Sequence, residues 1–293
     1  MAQAAGDSSP LSGMAWQQAV ILLFIFCLIL GVLAVVGGVG GGVLFVPLVG
    51  TFFPFHMDFV RGAGLMVALC VALSASPALL KKNMASLRLA LPFALAAAFS
   101  SIFGAMAGLA LPEYIVRIAL GAAILSICLL MTLSKKTDFP DVQKQDTLAK
   151  ALRLCGIYHE ASLKRDIEWK TTRTLPAIAL FFIIGFLAGM FGLGAGWANV
   201  PVLNLFMGAP LKIAVGTSIF LLSITDTSAA WIYLNNGAVL PVIVFPSIAG
   251  VMLGSKIGVQ ILEKVKPSFV KWVVISILAF SGIMSMLKGL KIF

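Results

Sequence analysis

The sequence predicts an all-α polytopic membrane protein made of two inverted-topology repeats, each with about five helical segments and a glycine-broken helix at the membrane midplane. Its composition, its apolar segments and a duplicated glycine motif support this prediction. Of the 293 residues, 60% are hydrophobic and 11% are charged, and the mean hydropathy is +1.07. Soluble domains carry about 25% charged residues. A soluble fold of this length could not cover so much apolar surface, so we expect the chain to lie in a lipid bilayer.

Eight apolar segments reach the length of about 20 residues that a helix needs to cross the hydrocarbon core. They are 17–36, 61–80, 89–111, 115–133, 175–191, 214–233, 239–261 and 269–287. Two shorter segments, 43–53 and 197–209, are either short crossings or the return arms of re-entrant hairpins. The predicted divisions are an N-terminal tail (1–16), a first repeat (17–133), a polar central loop (134–174), a second repeat (175–288) and a C-terminal tail (289–293).

The same glycine motif occurs twice, 154 positions apart. Residues 38–47 read GVGGGVLFVP, and residues 192–201 read GLGAGWANVP. With this offset and no gap, six glycines of the first copy align with glycines of the second. The pairs are Gly31 and Gly185, Gly38 and Gly192, Gly40 and Gly194, Gly42 and Gly196, Gly62 and Gly216, and Gly104 and Gly258. This agreement predicts an internal duplication.

Loop charges predict that the two copies run in opposite directions. The loop after segment 61–80 carries Lys81, Lys82 and Arg88, whereas the matching loop at 235–237 is uncharged. Since basic loops face the cytoplasm, we expect both termini outside, the central loop inside, and the protein in the plasma (inner) membrane. The basic residues then left outside are Arg61, Arg117, Lys288 and Lys291. The net charge of +10 therefore indicates membrane orientation and not a nucleic-acid partner. The absence of Lys and Arg from residues 1–16 argues against a cleaved signal peptide.

The two motifs are the predicted substrate site, because a paired helix interruption in two halves is typical of a transporter's binding site. A helix that starts after glycines offers unpaired N–H groups, a partial positive charge and close backbone approach, which suit an anion. The candidate backbone ligands are Gly38, Gly40, Gly41, Gly42, Gly192, Gly194 and Gly196. The alternative role for a membrane glycine is tight helix packing, which we assign to Gly104, Gly108, Gly250 and Gly254.

Side-chain polarity near the motifs is concentrated in the second copy. Trp197 and Asn199 follow its glycines, and Thr217 and Ser218 begin the next span. Asn199 aligns with Phe45, and the two hydroxyl residues align with an Ala-Gly pair, so we expect an asymmetric site. The two hydroxyls have a second interpretation, hydrogen bonds to carbonyls of their own helix.

Three further features carry predictions. Asp226, an acid inside a span, costs about 2.5–3.5 kcal/mol on insertion scales and is a candidate proton carrier, or else a protonated or hydrogen-bonded packing residue among the nearby hydroxyls. Arg61, with Asp58 and His56 nearby, either attracts anions or anchors its helix at the interface. The amphipathic run 148–154 is expected on the membrane surface. Cys155, His159 and Glu160, which loosely resemble a metal site, are expected in a solvated loop helix.

Residues 38–47, residues 192–201 and the run Ala214 to Ser218 resemble the signatures of the TauE/SafE (TSUP) family of sulfite exporters. The resemblance covers about residues 20–133 and 175–288. It implies an inner-membrane anion permease that moves sulfite, sulfoacetate or thiosulfate and is not an enzyme. The first copy departs from the pattern at Ala63 and Gly64, and Asp226 is not a position associated with the family.

We therefore expect a secondary transporter that exports a small sulfur oxyanion or organosulfonate by alternating access, with protons as a candidate second substrate and no cofactor or metal. An inside-negative potential favours monoanion export by about 2.3 kcal/mol per 100 mV. The alternatives are an importer of the same anions and a passive anion channel. A membrane enzyme would need converging ionisable residues, and a metal permease would need Cys, His or Asp clusters. A homodimer is a candidate assembly.

Overall fold

The structure, a computed structural model, describes residues 16–37, 40–53, 55–133, 142, 144–160, 165–262 and 267–290. Over these residues the chain forms eleven α-helices, one π-helical turn and a two-stranded sheet. The helices of the first repeat are α1 (Trp16–Gly37), α2 (Gly41–Phe52), α3 (Met57–Lys81), α4 (Leu87–Ala110) and α5 (Glu113–Leu133). The central region contains α6 (Thr147–Ala151), β1 (Cys155–Glu160) and β2 (Arg165–Lys170). The second repeat contains α7 (Thr174–Phe191), α8 (Gly196–Pro201), the π-helical turn (Val202–Phe206), α9 (Leu211–Asn235), α10 (Pro241–Leu262) and α11 (Pro267–Gly289).

Each of the eight predicted spans falls on a helix, which confirms the all-α polytopic fold class. Within the described part of the chain, α3, α4, α7, α9 and α10 are long and apolar enough to cross a membrane. Helix α2 has 12 residues and is about 18 Å long at 1.5 Å per residue. The continuous segment formed by α8 and the π-helical turn is of similar length. Both are shorter than a hydrocarbon core of about 30 Å, so neither crosses it alone.

The central region differs from the predicted solvated, membrane-surface helix. Of the central residues that the structure describes, only Thr147–Ala151 are helical, and the following residues form an antiparallel hairpin in which Cys155 pairs with Lys170. Leu154, Tyr158 and Trp169 are buried in one cluster with apolar residues of α4, α7, α9 and the π-helical turn. The predicted helix was wrong for residues 155–160, which form a strand. In the run 148–154, Ala149 and Leu154 are buried against protein, whereas Leu148 and Leu152 are exposed. Within the residues described, no group of three or more His, Cys, Asp and Glu side chains is placed to hold a metal ion.

Helices of one half of the chain pack against helices of the other half, and equivalent helices make equivalent contacts. Helix α1 packs along α10, and its counterpart α7 packs along α4, the counterpart of α10. Glycines at these contacts leave room for carbonyl oxygens of the facing helix. Each such contact of an aligned glycine has an equivalent one in which both residues are replaced by those 154 positions away in the sequence. Gly31 faces Val251 as Gly185 faces Ala97, Gly104 faces Phe186 as Gly258 faces Val32, and Gly62 faces Ala238 as Gly216 faces Met84. Packing therefore explains these aligned glycines.

Helices α5 and α11, which are also counterparts, pack against each other in opposite directions. Ser285, near the end of α11, donates a hydrogen bond to the carbonyl of Arg117, near the start of α5, at 3.0 Å. Cys128, further along α5, lies 3.8 Å from the carbonyl of Ile275, which is earlier in α11. Antiparallel packing of equivalent helices is the arrangement that inverted-topology repeats require.

Candidate functional site

Helix boundaries in both copies lie at the glycine motifs. Helix α2 begins at Gly41 after Gly40, whose φ is 85°, and α8 begins at Gly196 after Gly194, whose φ is 71°. Residues with a Cβ rarely adopt this left-handed region, so both equivalent positions favour glycine. Gly192, with φ 68°, ends α7. Its predicted counterpart Gly38 lies outside the described residues.

The two breaks meet beside Leu222 of α9. A Cβ placed on Gly40 would lie 2.9 Å from Leu222 Cδ1 and 3.9 Å from the Cα of Gly196. A Cβ on Gly194 would lie 3.4 Å from Leu222 Cδ2 and 3.3 Å from the Cβ of Ala68 on α3. Leu222 and Ala68 are equivalent residues near the middle of α9 and α3. We call this meeting point of the two breaks the junction.

Two glycines of the first motif are required by packing at the junction. A Cβ on Gly42 would lie 2.5 Å from the carbonyl oxygen of Leu193 and 2.9 Å from that of Gly64. A Cβ on Gly41 would lie 3.0 Å from a methyl group of Val67. These contacts hold the start of α2 against both the second break and α3.

The second copy carries buried polar groups without partners on α8, the helix that starts after the second break. Asn199, on α8, is fully buried, and neither its amide nitrogen nor its amide oxygen has a hydrogen-bond partner among the described residues. The indole N–H of Trp197 is also buried without a partner in this part of the chain. Leaving a buried polar group unpaired costs about 1–3 kcal/mol. Such groups are explained when a ligand or an ion supplies the missing hydrogen bonds.

Asp226, the predicted coupling residue, lies one turn beyond Leu222. Its Oδ2 would be 3.0 Å from a Cβ on Gly194, so the carboxyl group faces the second break. The side chain is fully buried, and both oxygens lack a hydrogen-bond partner within the described residues. Among the described residues no hydroxyl bonds to Asp226, which contradicts the hydrogen-bonded alternative and leaves that of a protonated packing residue.

Thr217 and Ser218 are buried near the start of α9, more than one turn before Leu222. The Thr217 hydroxyl accepts a hydrogen bond from the backbone N–H of Ser86 at 3.1 Å. Ser86 in turn caps α4 by accepting from the N–H of Leu89 at 3.3 Å. Thr217 thus serves the loop between α3 and α4, and the structure does not bring it to the junction.

Arg61 is not exposed at the end of its helix, as both predicted roles would require. Its side chain is 1% exposed. Nη1 donates to the carbonyls of Gly108 and Met190, at 3.0 Å each, and Nη2 donates to Asp58. The guanidinium also lies 5.8 Å from the ring centroid of Tyr233. We correct the prediction: Arg61 joins α3, α4, α7 and α9, and its charge does not reach the surface.

The two short helices are held differently at their far ends. At the end of α2, Arg117 donates to the carbonyl of Gly50 at 3.2 Å, and Lys288 donates to that of Thr51 at 2.6 Å. Cations at a helix C-terminus complement its partial negative charge. After the π-helical turn, the carbonyl of Met207 instead accepts from the backbone N–H of Thr172 at 3.0 Å, next to the hairpin.

Comparison with known proteins is consistent with this architecture. The family model described as sulfite exporter TauE/SafE matches residues 23–285. The probable membrane transporter protein YunE of Bacillus subtilis (strain 168) is 23% identical over 277 residues, which are 92% of this chain and 98% of that protein. The probable membrane transporter protein MJ0441 of Methanocaldococcus jannaschii is 30% identical over 122 residues, which are 38% of this chain and 45% of that protein. No solved structure matches the chain. Since the family model covers most of its length, the chain belongs to the TauE/SafE family of membrane transporters.

Proposed function

We propose that the protein exports a small sulfur-containing anion, such as sulfite, sulfoacetate or thiosulfate, through a binding site at the junction. The observation that carries this proposal is the meeting of the two breaks beside Leu222, together with buried polar side chains without partners in the first turn of α8. Both Gly40 and Gly194 precede helix starts, where free N–H groups and a partial positive charge favour an anion. Asn199 and Trp197 would add side-chain donors from one copy only.

The reciprocal packing supports alternating access. We propose that the two repeats are inverted, because equivalent glycines make equivalent contacts and α5 runs antiparallel to α11. In inverted-repeat transporters the two halves rock about a site near the midplane. The position of the junction, halfway along α3 and α9, fits such a site.

The family supports the class of substrate. The matching family model is described as a sulfite exporter, and the two relatives are described as probable membrane transporters. Export agrees with the membrane potential, because an inside-negative potential expels an anion by about 2.3 kcal/mol per unit charge per 100 mV. An importer of the same anions and a passive channel are the competing functions.

Flux measurements in proteoliposomes test the proposal. Purified protein is reconstituted, and the movement of sulfite, thiosulfate, sulfoacetate and sulfate is followed with and without a pH gradient. We expect movement of at least one sulfur anion that saturates with concentration and is absent from protein-free vesicles. Flux that does not saturate would indicate a channel. Movement of none of these anions would contradict the proposed substrate class.

A further inference from the structure

Asp226 is a buried acid whose carboxyl group faces the proposed anion site. Its Oδ2 would lie 3.0 Å from a Cβ on Gly194, a residue that precedes the start of α8. The side chain is completely buried, and neither oxygen has a hydrogen-bond partner among the described residues. A charged carboxylate in this place has no compensation, and unpaired buried charges are strongly disfavoured in proteins. The complete burial of this carboxyl group without a hydrogen-bond partner therefore needs an explanation.

The neighbouring elements supply no ionisable partner in the part of the chain that the structure describes. Ala68 of α3 and Gly194 of the second break lie beside it, and Leu222 precedes it by one turn on α9. On the side of α4, Ser101 donates its hydroxyl to the carbonyl of Thr225 at 3.2 Å. These neighbours carry no charge.

The nearest charged cluster on α3 and α9 is already engaged elsewhere. Tyr233, two turns further along α9, donates its hydroxyl to the carbonyls of Gly189 and Met190, at 3.1 and 3.2 Å. Arg61 beside it is held by Asp58 and by backbone carbonyls. Within the described ranges, therefore, no Lys, Arg or His neutralises Asp226.

The two protonation states of Asp226 have opposite effects on the binding of an anion. An ionised carboxylate only accepts hydrogen bonds and repels a negative ligand, whereas a protonated carboxyl group has one O–H to donate. We propose that the anion binds at the junction only when Asp226 is protonated, so that the protein moves one proton together with each anion. This inference rests on the proposed function, since it assigns a second substrate to the same site.

The proposed cycle balances charge and protons. Asp226 takes one proton from water on the side to which the junction is open, and the anion then binds beside the neutral carboxyl group. After the halves rock, the anion leaves and the carboxyl group releases its proton to water on the other side. A dianion moved this way carries one net negative charge and is still expelled by an inside-negative potential. A monoanion moves without net charge, so the membrane potential does not favour its export and a pH gradient that is alkaline inside drives it inward. This coupling therefore supports export only of a dianion such as thiosulfate.

Equilibrium binding of thiosulfate as a function of pH tests the inference. Thiosulfate is the probe because its charge is constant from about pH 5 to about pH 9, the range over which binding to purified protein is measured. Above the pH at which Asp226 loses its proton, we expect the wild-type affinity to fall about tenfold per pH unit. Asp226→Asn, which cannot titrate, should bind with an affinity that does not change with pH. Asp226→Glu should restore the dependence.

Thr227→Val is the matched control, because Thr227 is the next residue on α9 and its side chain is exposed. This variant should keep the wild-type dependence on pH. A second measurement uses only the wild-type protein. Thiosulfate added to it in weak buffer at alkaline pH should cause uptake of about one proton per bound anion.

The outcomes separate the two proposals. Thiosulfate binding by the wild-type protein that is independent of pH and takes up no proton would overturn proton coupling and leave the anion permease standing. The same pH dependence in Asp226→Asn as in the wild type would also overturn it. If no sulfur anion binds or moves under any condition, the proposed function fails, and the inference fails with it.

Discussion

At the residue scale, the buried Arg61 connects α3 with α4, α7 and α9. Its guanidinium binds two backbone carbonyls, those of Gly108 at the end of α4 and Met190 at the end of α7, and one carboxylate, that of Asp58. Gly192, which ends α7, packs against the backbone of Arg61. The residue thus fixes the end of α7 immediately before the second glycine break. We therefore expect Arg61 to affect transport indirectly, through the position of that break.

Replacement of Arg61 by methionine should therefore destabilise the protein. Removing the buried guanidinium leaves the carbonyl of Gly108 without its donor, which costs about 1–3 kcal/mol, and removes the links to Met190 and to the partly exposed Asp58. We expect a clear fall in the thermal unfolding temperature in detergent. Lys256→Met is the control, since Lys256 is exposed on α10 and should change stability by no more than about 0.5 kcal/mol. Unchanged stability together with lost thiosulfate binding would instead make Arg61 an anion ligand.

At the scale of elements, the hairpin of the central region packs on the second short helix and not on the first. Tyr158 and Trp169 of the hairpin share a buried cluster with Leu203 and Met207, which lie in and just after the π-helical turn. A Cβ on Gly208 would collide with Val142. The far end of α2 is held instead by the charged side chains of Arg117 and Lys288. We infer that the hairpin stabilises the far end of the second short helix.

Substitution of Trp169 by alanine should loosen that packing. The indole is 6% exposed, and removing a buried tryptophan costs about 3–5 kcal/mol. We expect faster amide hydrogen exchange both in the hairpin and in segment 202–209. Ile157→Ala is the control on the opposite face of the hairpin, where the side chain is 63% exposed. Exchange in segment 202–209 that is equal in both variants would show that the hairpin does not stabilise this segment.

At the scale of the whole molecule, the reciprocal glycine contacts and the antiparallel α5 and α11 support two repeats of opposite orientation. Matching loops should then lie on opposite sides of the membrane. The loop after α3 is basic and the loop after α9 is not. The positive-inside rule therefore predicts the first loop in the cytoplasm and the second outside.

Cysteine labelling tests this orientation. The native Cys155 is exposed on the hairpin and should react with a membrane-impermeant maleimide only after cells are permeabilised. In a background without the native cysteines, Lys82→Cys should behave in the same way, whereas Asn236→Cys should react in intact cells. Both substituted positions are exposed. Labelling of both from one side would contradict an inverted repeat.

The features that were predictable from the sequence are those with a local or periodic signal. Long apolar runs placed the spanning helices, and the constant offset between glycines predicted the duplication; the aligned Gly31 and Gly185 make equivalent contacts. The contacts of Arg61 and Thr217 were not predictable. Thr217 accepts from a residue 131 positions away, and Arg61 donates to carbonyls of other helices. The strands were missed because each has only six residues of mixed polarity. Leu222 was missed because an apolar residue inside a span gives no signal, and its contacts with both breaks come from tertiary packing.

The central claim is that the substrate binds where the two glycine breaks meet. Its most direct test is saturable anion flux by Gly40→Ala and Gly194→Ala, compared with Gly237→Ala, in proteoliposomes. All three glycines have a positive φ, but a Cβ on Gly237 would meet no atom within 4 Å. Gly237→Ala therefore controls for backbone strain, which costs about 1–3 kcal/mol at such positions.

We predict that folded, monodisperse Gly40→Ala and Gly194→Ala lose about tenfold or more of the sulfur-anion flux, because an added methyl group displaces Leu222 or Asp226 at the junction. Gly237→Ala should transport at nearly the wild-type rate. Wild-type rates and affinities in both junction variants would contradict the account, because the anion would then bind elsewhere.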